Sequence, residues 1–245
     1  MAGSGLVEDV VAQMQARLDA LPAGSPRRAF LATYLRTTQA VGDAVDSGRF
    51  LDSAWVERWD VAFAKLYLQA HDAFVNGASD VVPRPWRLAF SAPDDLATLR
   101  HVLLGINAHV NYDLPQAMLQ VISPNDFNDG RLIDSRRLDH GRIDDVLAMR
   151  VKDEDQLLGD ARSVLDRVLS PLNRLASKRF LREARQKVWH NVGELNEARL
   201  MGESAYLARL GELEVLSAAR IADLLAPGQV LLRLAGFGVT LPPKR

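Results

Sequence analysis

The sequence predicts an all-α fold, a single multi-helix domain of about seven to eight helices. Apolar residues recur mainly at the 3.6-residue period of a helix, and the alternating pattern of a strand is scarce. The 245 residues are 48% hydrophobic and 25% charged, which is ordinary for a globular protein. No Ser/Gly-rich or Pro-rich linker divides the chain, so one α-helical domain is expected over residues 1–245.

Capping and breaker residues place the helices along the chain. Proline or glycine follows each of the first three, and Asp52 can cap the third. Ser91 and Asp94 have the spacing of a capping box for the fourth. The predicted helices are Leu6–Leu21 within the N-terminal segment 1–26, Arg27–Asp46, 53–76, Asp94–Asn111, Asp139–Met149, Asp160–Leu169, 172–203 and Ala205–Ala226. The predicted irregular segments are a loop at Val82–Pro93, a turn at Asn125–Gly130 and a tail over 229–245.

Charge balance and the absence of cysteine limit the possible functions. The chain has 30 Lys and Arg against 31 Asp and Glu, whereas a nucleic-acid-binding protein usually has a basic excess. Without cysteine it has no disulfide, thiolate metal site or cysteine nucleophile. It shows neither a signal-peptide pattern nor an apolar run long enough to span a membrane. The sequence therefore predicts a cytoplasmic protein whose partner is a small-molecule ligand, not nucleic acid or a membrane.

The helix within Arg100–Pro115 (RHVLLGINAHVNYDLP) carries an unusual set of polar residues. It has no Lys or Glu, which a solvated helix face normally carries. Its short, directional side chains suit buried hydrogen bonds instead. They are His101, Asn107, His109, Asn111 and Asp113. These residues form either a structural polar network or the wall of a pocket.

Gly105 and Pro115 predict a close approach and a helix break within this segment. Glycine in mid-helix costs about 1 kcal/mol relative to alanine, so another element or a ligand is expected to approach between the two histidines. Pro115 either kinks the helix or lies in the first turn of a new one. Either alternative leaves free backbone groups beside residues 111–113 and makes Tyr112 a candidate pocket residue.

Three of the five histidines have an acidic residue four positions later, on the same face of a helix. The pairs are His109/Asp113, His140/Asp144 and His190/Glu194. Such a pair can orient an imidazole for acid–base catalysis or share a divalent metal. Because HExxH and cysteine ligands are absent, no metal is predicted. If a metal did bind, the candidate ligands would be His71, His109, Asp113, His190 and Glu194. His140 lies in the most polar stretch and is expected to be exposed.

Aromatic residues provide further candidates. A stripe that recurs every four residues of the third helix is typical of a core but could line an apolar cavity. Trp86 is either the lid of a pocket or a buried anchor. The candidate substrate-binding residues are Tyr67, His71, Trp86, Asn107, Asn111, Tyr112 and Trp189.

Four segments resemble a largely actinobacterial family of domain-of-unknown-function proteins. They are RFLDSAWVERWDVAFAKLYLQA (Arg49–Ala70), PRPWRLAF (Pro83–Phe90), HVLLGINAHVNYDLP (His101–Pro115) and ARQKVWHNV (Ala184–Val192). The specific part is NAHVNYDLP, within a resemblance that covers under a quarter of the chain. It implies an α-helical soluble domain of uncharacterised activity and brings no catalytic residues with it.

Three functions remain open at this point. The favoured prediction is a small-molecule enzyme without an organic cofactor, of the cyclase, isomerase or lyase type, acting on a largely apolar substrate of specialised metabolism. Its catalytic residues would be His109 with Asp113 or His101 as partner, because the pKa of histidine lies near neutrality. The alternatives are a metal-dependent hydrolase that uses the His/acid pairs, and a non-catalytic ligand-binding or scaffold protein.

Overall fold

The helices of the computed structural model begin and end close to the capping and breaker residues of the sequence. The structure describes residues 5–157 and 174–226, with side chains for 5–146 and 185–226. The α-helices are α1 Leu6–Ala20, α2 Arg27–Asp46, α3 Ser53–Val75, α4 Arg84–Phe90, α5 Thr98–Ala108, α6 Leu114–Val121, α7 Gly130–Leu157, α8 Arg174–Met201 and α9 Glu203–Leu225. These described residues contain no strand, and the predicted all-α fold is confirmed.

The first three helices match their predicted ranges closely. Asp52 caps α3 as predicted, since its Oδ1 accepts a hydrogen bond from the backbone N–H of Trp55 at 2.9 Å. Asp139 of α7 binds the segment just before α3, because its carboxylate accepts hydrogen bonds from the backbone N–H groups of Leu51 and Asp52 at 2.7 and 2.9 Å. Helix α7 is thereby fixed against the start of α3.

The predicted loop at Val82–Pro93 is wrong, because residues 84–90 form the short helix α4. Its first two prolines precede or open the helix instead of breaking it, and Pro93 follows the helix. Pro83 is the N-cap residue and Pro85 lies in the first turn, where a missing backbone N–H breaks no helical hydrogen bond. Trp86 is completely buried, so it is the anchor and not the lid.

The predicted start of the fourth helix at Asp94 is also wrong. Helix α5 begins at Thr98, and its N-cap residue Ala97 makes no side-chain cap, so the Ser91/Asp94 capping box does not form. Residues 93–96 form a turn instead, in which the backbone N–H of Leu96 donates to the carbonyl of Pro93 at 3.2 Å.

The polar segment after the predicted turn forms a longer helix than expected. A 3-10 turn, Asn125–Asn128, precedes α7, which starts at Gly130 and not at Asp139. Asp129 caps this start, since its Oδ1 accepts the backbone N–H groups of Arg131 and Leu132 at 3.0 and 3.1 Å. Helices α8 and α9 agree with the prediction to within about two residues, whereas Asp160–Leu169 and the tail 229–245 lie outside the described residues.

Two apolar clusters fill the interior. The first, around Phe30, Tyr67 and Trp86, joins α1–α5 and the end of α9. The second, around Trp59 and Met118, joins α2, α3, α6, α7, α8 and α9. None of the described helices is both long and apolar enough to cross a bilayer.

Candidate active site

The predicted pair His109 and Asp113 forms a buried hydrogen-bonded unit. The Nδ1 atom of His109 lies 2.8 Å from Oδ2 of Asp113, and the indole N–H of Trp86 donates to the same oxygen at 2.7 Å. The exposed fractions of the three residues are 3%, 2% and 0%. Helix α4 therefore supplies a donor that holds the carboxyl group against the imidazole; we call these three residues the dyad and its anchor.

A single turn of π-helix carries both members of the dyad. Residues His109–Asp113 form this turn, which the backbone N–H of Leu114 closes by donating to the carbonyl of His109. Pro115 follows in the first turn of α6, where it has no N–H to continue the α-helical ladder. Pro115 thus lies in the first turn of a helix, as one of the two alternatives predicted. The predicted helix break is wrong, because Ala108, Asp113 and Leu114 keep right-handed helical dihedral angles and α5 continues through the π turn into α6. Single π turns inside α-helices occur often at functional sites.

Aromatic rings enclose the imidazole of His109. Phe63 stacks on one face, with ring centroids 3.5 Å apart and an interplanar angle of 4°. Tyr34 meets it edge-on at 4.4 Å. Three more rings lie within about 6 Å: those of Phe30, Tyr67 and Trp86. This apolar surrounding excludes bulk water from the dyad.

Burial favours the uncharged form of each member of the dyad. It lowers the pKa of His109 well below its ordinary value and raises the pKa of Asp113 well above its own. The hydrogen bond from Trp86 opposes the shift at Asp113 but is the smaller effect. In this uncharged form, the carboxyl O–H of Asp113 donates to Nδ1 of His109, and the single N–H of the imidazole is at Nε2.

Several polar atoms of this interior lack a hydrogen-bond partner. Nε2 of His109 is buried and unpaired. Buried oxygens with no partner of standard geometry lie on the adjoining faces of α2 and α3, in Tyr34, Thr38, Asp60 and Tyr67. Each buried unpaired group costs about 1–3 kcal/mol, so natural structures contain few of them. Of these residues, Tyr34 and Tyr67 also place their rings 4.4 and 6.1 Å from the imidazole of His109, which makes its surroundings a candidate site.

The close approach predicted at Gly105 is confirmed. The ring of Phe30 packs against this glycine so tightly that a Cβ atom there would lie 2.3 Å from the ring. A small cavity of about 20 Å³ lies beside the contact, lined among others by Trp86 and His101. Its volume corresponds to one or two water molecules, far below the roughly 300–1,000 Å³ of a preformed ligand pocket.

His101 and His71 lie away from the dyad. His101 is 7% exposed, two helical turns before His109, which is about 12 Å along the axis. His71 is 4% exposed, and its Nδ1 atom lies 3.3 Å from Oδ1 of Asp72. Of the two partners predicted for His109, the structure pairs it with Asp113.

Three predicted binding residues near the π turn have other contacts. The side-chain amides of Asn107 and Asn111 donate to the carbonyls of Leu103 and Asn107, four residues earlier, at 2.8 and 2.9 Å. Tyr112 packs in the second apolar cluster. Their predicted role in substrate binding stays a prediction.

Trp189 and His140 form a separate buried cluster. The indole N–H of Trp189 donates to Nδ1 of His140 at 3.0 Å, and the ring of Trp59 meets His140 edge-on at 5.3 Å. The expectation that His140 is exposed is wrong, because it is only 6% exposed. Its predicted partner Asp144 instead forms an ion pair with Arg185 at 2.9 Å.

The candidate metal ligands do not gather. No group of three His, Asp or Glu side chains with metal-binding geometry occurs in the part of the chain that the structure describes. His190 is exposed on α8, and Glu194 pairs with Arg209 at 3.8 Å.

Sequence reasoning missed Tyr34, Thr38 and Asp60. A signal was present, because Phe30, Tyr34 and Thr38 recur every four residues on one face of α2. Residues with an isolated hydroxyl group on an apolar helix face usually belong to the core. The pattern alone therefore did not distinguish Tyr34 and Thr38 from ordinary core residues.

Comparison with models of known protein families assigns the chain to one of them. The model of a family of unknown function (DUF5995) matches residues 7–227. The chain belongs to this family. The match covers every helix of the described fold except the first residue of α1, and includes the dyad. No curated protein and no solved structure matches the chain. The expected membership of an uncharacterised domain family is thereby confirmed.

Proposed function

We propose that this protein is a small-molecule enzyme that uses the His109–Asp113 dyad for acid–base chemistry without an organic cofactor. One observation carries the proposal: a buried imidazole is held by a carboxyl group at Nδ1 while its Nε2 has no partner. A histidine oriented in this way by a carboxyl group is a recurrent arrangement in acid–base catalysis.

The neutral dyad acts first as an acid. Nε2–H of His109 donates its proton to an oxygen of the substrate, and the proton of Asp113 moves to Nδ1. The imidazole then has a lone pair on Nε2 and can take a proton back in the second half of the reaction, so the dyad ends as it began. The hydroxyl groups of Tyr34 and Tyr67 are suited to hold a carbonyl or a developing oxyanion, and that of Tyr67 has no hydrogen-bond partner.

The aromatic rings around His109 favour a largely apolar substrate, as in a cyclase, isomerase or lyase. The cavity beside Trp86 is too small for such a molecule. Binding therefore requires displacement of side chains such as Phe30, a change of rotamer or helix position that occurs during many enzyme cycles.

The test compares His109→Asn with wild type and His140→Asn. Asparagine keeps a polar atom near the position of Nδ1, and so the contact with Asp113, but removes Nε2. His140→Asn removes an equally buried imidazole outside the dyad. Each protein is incubated with pooled metabolites, and mass spectrometry records the compounds consumed and formed.

We expect wild type and His140→Asn to convert at least one compound, and His109→Asn to do so at least about 100-fold more slowly, the usual contribution of general acid–base catalysis. Conversion by His109→Asn at the wild-type rate would refute the role of the dyad. No conversion by wild type would leave the non-catalytic alternative.

A further inference from the structure

The cavity of about 20 Å³ borders the dyad's anchor. The ring of Trp86 lines it, while the indole N–H of the same residue donates to Asp113 at 2.7 Å. Phe30, Phe90 and Gly105 form other parts of its wall. A ligand group in this cavity would lie one aromatic ring away from the dyad.

Two nitrogen atoms of the lining residues are buried without a hydrogen-bond partner. They are Nε of Arg27 and Nε2 of His101. The guanidinium of Arg27 lies over the ring of Phe74, 5.3 Å from its centroid, and forms no ion pair with any described carboxylate. Guanidinium is a permanent cation with donors only, so its missing partner must be an acceptor.

Nε2 of His101 can donate only when the ring is protonated, because the other ring nitrogen already bonds to the backbone of Pro93. Burial lowers the pKa of His101, whereas Asp94 and the backbone of Pro93 raise it. An anion at Nε2 would act in the same direction as Asp94 and stabilise the protonated ring. A volume of one or two water molecules fits the two oxygens of one carboxylate.

We propose that this cavity is a subsite for the carboxylate of an apolar or aromatic carboxylic acid. One oxygen accepts from Nε–H of Arg27 and the other from Nε2–H of His101, whose ring takes up a proton from solvent when the anion binds. The apolar body lies outside this small volume, in the space beside Trp86 and Phe90 that displacement of Phe30 opens. The identification of this acid as the substrate rests on the proposed function; the subsite itself does not.

The probes are benzoate and its uncharged analogue benzamide, which has nearly the same shape. The chain has four tryptophans, so the indole N–H resonance of Trp86 can be assigned with Trp86→Phe and followed by NMR during titration. We expect benzoate to shift this resonance at millimolar concentration and to bind at least about tenfold more tightly than benzamide, the usual effect of a charge-assisted hydrogen bond.

Arg27→Gln should weaken benzoate binding by about tenfold or more. Arg87→Gln is the matched control, because Arg87 is an exposed arginine of α4 and changes the net charge equally. Equal affinity for benzamide, no binding of benzoate, or unchanged binding in Arg27→Gln would each overturn the subsite.

The titration measures binding and does not require turnover. The proposal of a catalytic dyad and the proposal of a carboxylate subsite can therefore be refuted independently of each other. If the dyad is not catalytic, His109→Asn still binds benzoate like wild type. If the subsite is wrong, compounds are still converted by wild type and not by His109→Asn.

Discussion

Asp60 is a buried carboxyl group whose Oδ2 has no hydrogen-bond partner. It is 7% exposed, and burial raises its pKa from 3.8 to about 7. The group is neutral in the folded protein over a pH range in which it is ionised in the unfolded chain. The contribution of Asp60 to the free energy of unfolding therefore depends on pH, and a substitution at this one residue can measure it.

The free energy of unfolding should fall as pH rises from about 4 to 7 because of Asp60. The folded state holds the proton of Asp60 up to about pH 7, whereas the unfolded chain loses it near pH 3.8. The stabilisation that Asp60 gives the folded state is therefore fully present below pH 3.8 and is lost as the pH rises toward 7. Asp60→Asn should remove a slope of up to about 1.4 kcal/mol per pH unit, measured by urea unfolding at several pH values.

Asp80→Asn, at an exposed carboxylate, is the control and should follow wild type. If the Asp60→Asn and wild-type curves run parallel over this range, Asp60 does not ionise as stated.

At the scale of the element, the contact of α2 with α5 positions the dyad. Phe30 of α2 rests on Gly105, one turn before His109, and its ring also lies 6.0 Å from the imidazole. The missing side chain lets the two helices come close enough for the ring of Tyr34 to reach His109. Glycine here serves packing between helices, at the expense of helix propensity.

Gly105→Ala should destabilise the protein by about 1–3 kcal/mol, although alanine favours a helix. The added Cβ would lie 2.3 Å from the ring of Phe30, and such overpacking in a core outweighs the gain in propensity. Gly193→Ala, in α8 with open space around it, is the control and should stabilise by up to about 1 kcal/mol. Thermal unfolding of both variants measures the difference, and equal shifts in Tm would contradict the argument.

At the scale of the whole molecule, Arg199 of α8 ties the end of α6 into the bundle. Its Nη1 and Nη2 groups donate to the carbonyls of Leu119 and Ile122 at 3.1 and 2.9 Å. These carbonyls belong to the last turn of α6 and the residue after it, where the helix itself provides no donors. The guanidinium also lies 5.7 Å from the centroid of the Phe127 ring.

Arg199→Met should therefore destabilise the protein by about 1–3 kcal/mol in urea unfolding. The long apolar stem is kept, but two partly buried carbonyls lose their donors. Arg131→Met, at an exposed arginine, should change stability by less than about 0.5 kcal/mol. A change at Arg199 no larger than that at Arg131 would mean that water replaces the guanidinium.

Patterns among residues close in sequence predicted most of the helices and part of the candidate site. The bounds of α2, the cap at Asp52 and the crowding at Gly105 were all readable from nearby residues. The i,i+4 spacing also predicted that His109 and Asp113 would meet, because helix geometry brings such residues together. The same spacing failed for His140 and Asp144, where Trp189 and Arg185 from another helix provide the partners.

Composition, helical period and stop residues determined that the chain is all-α and that one helix carries the acid–base candidates. Only the tertiary structure decided which groups surround them. Trp86 reaches Asp113 from α4, and the rings of Tyr34 and Phe63 approach His109 from α2 and α3. The reason is physical: hydrogen bonding within a helix depends on local spacing, whereas burial and partner choice depend on how helices distant in sequence pack together.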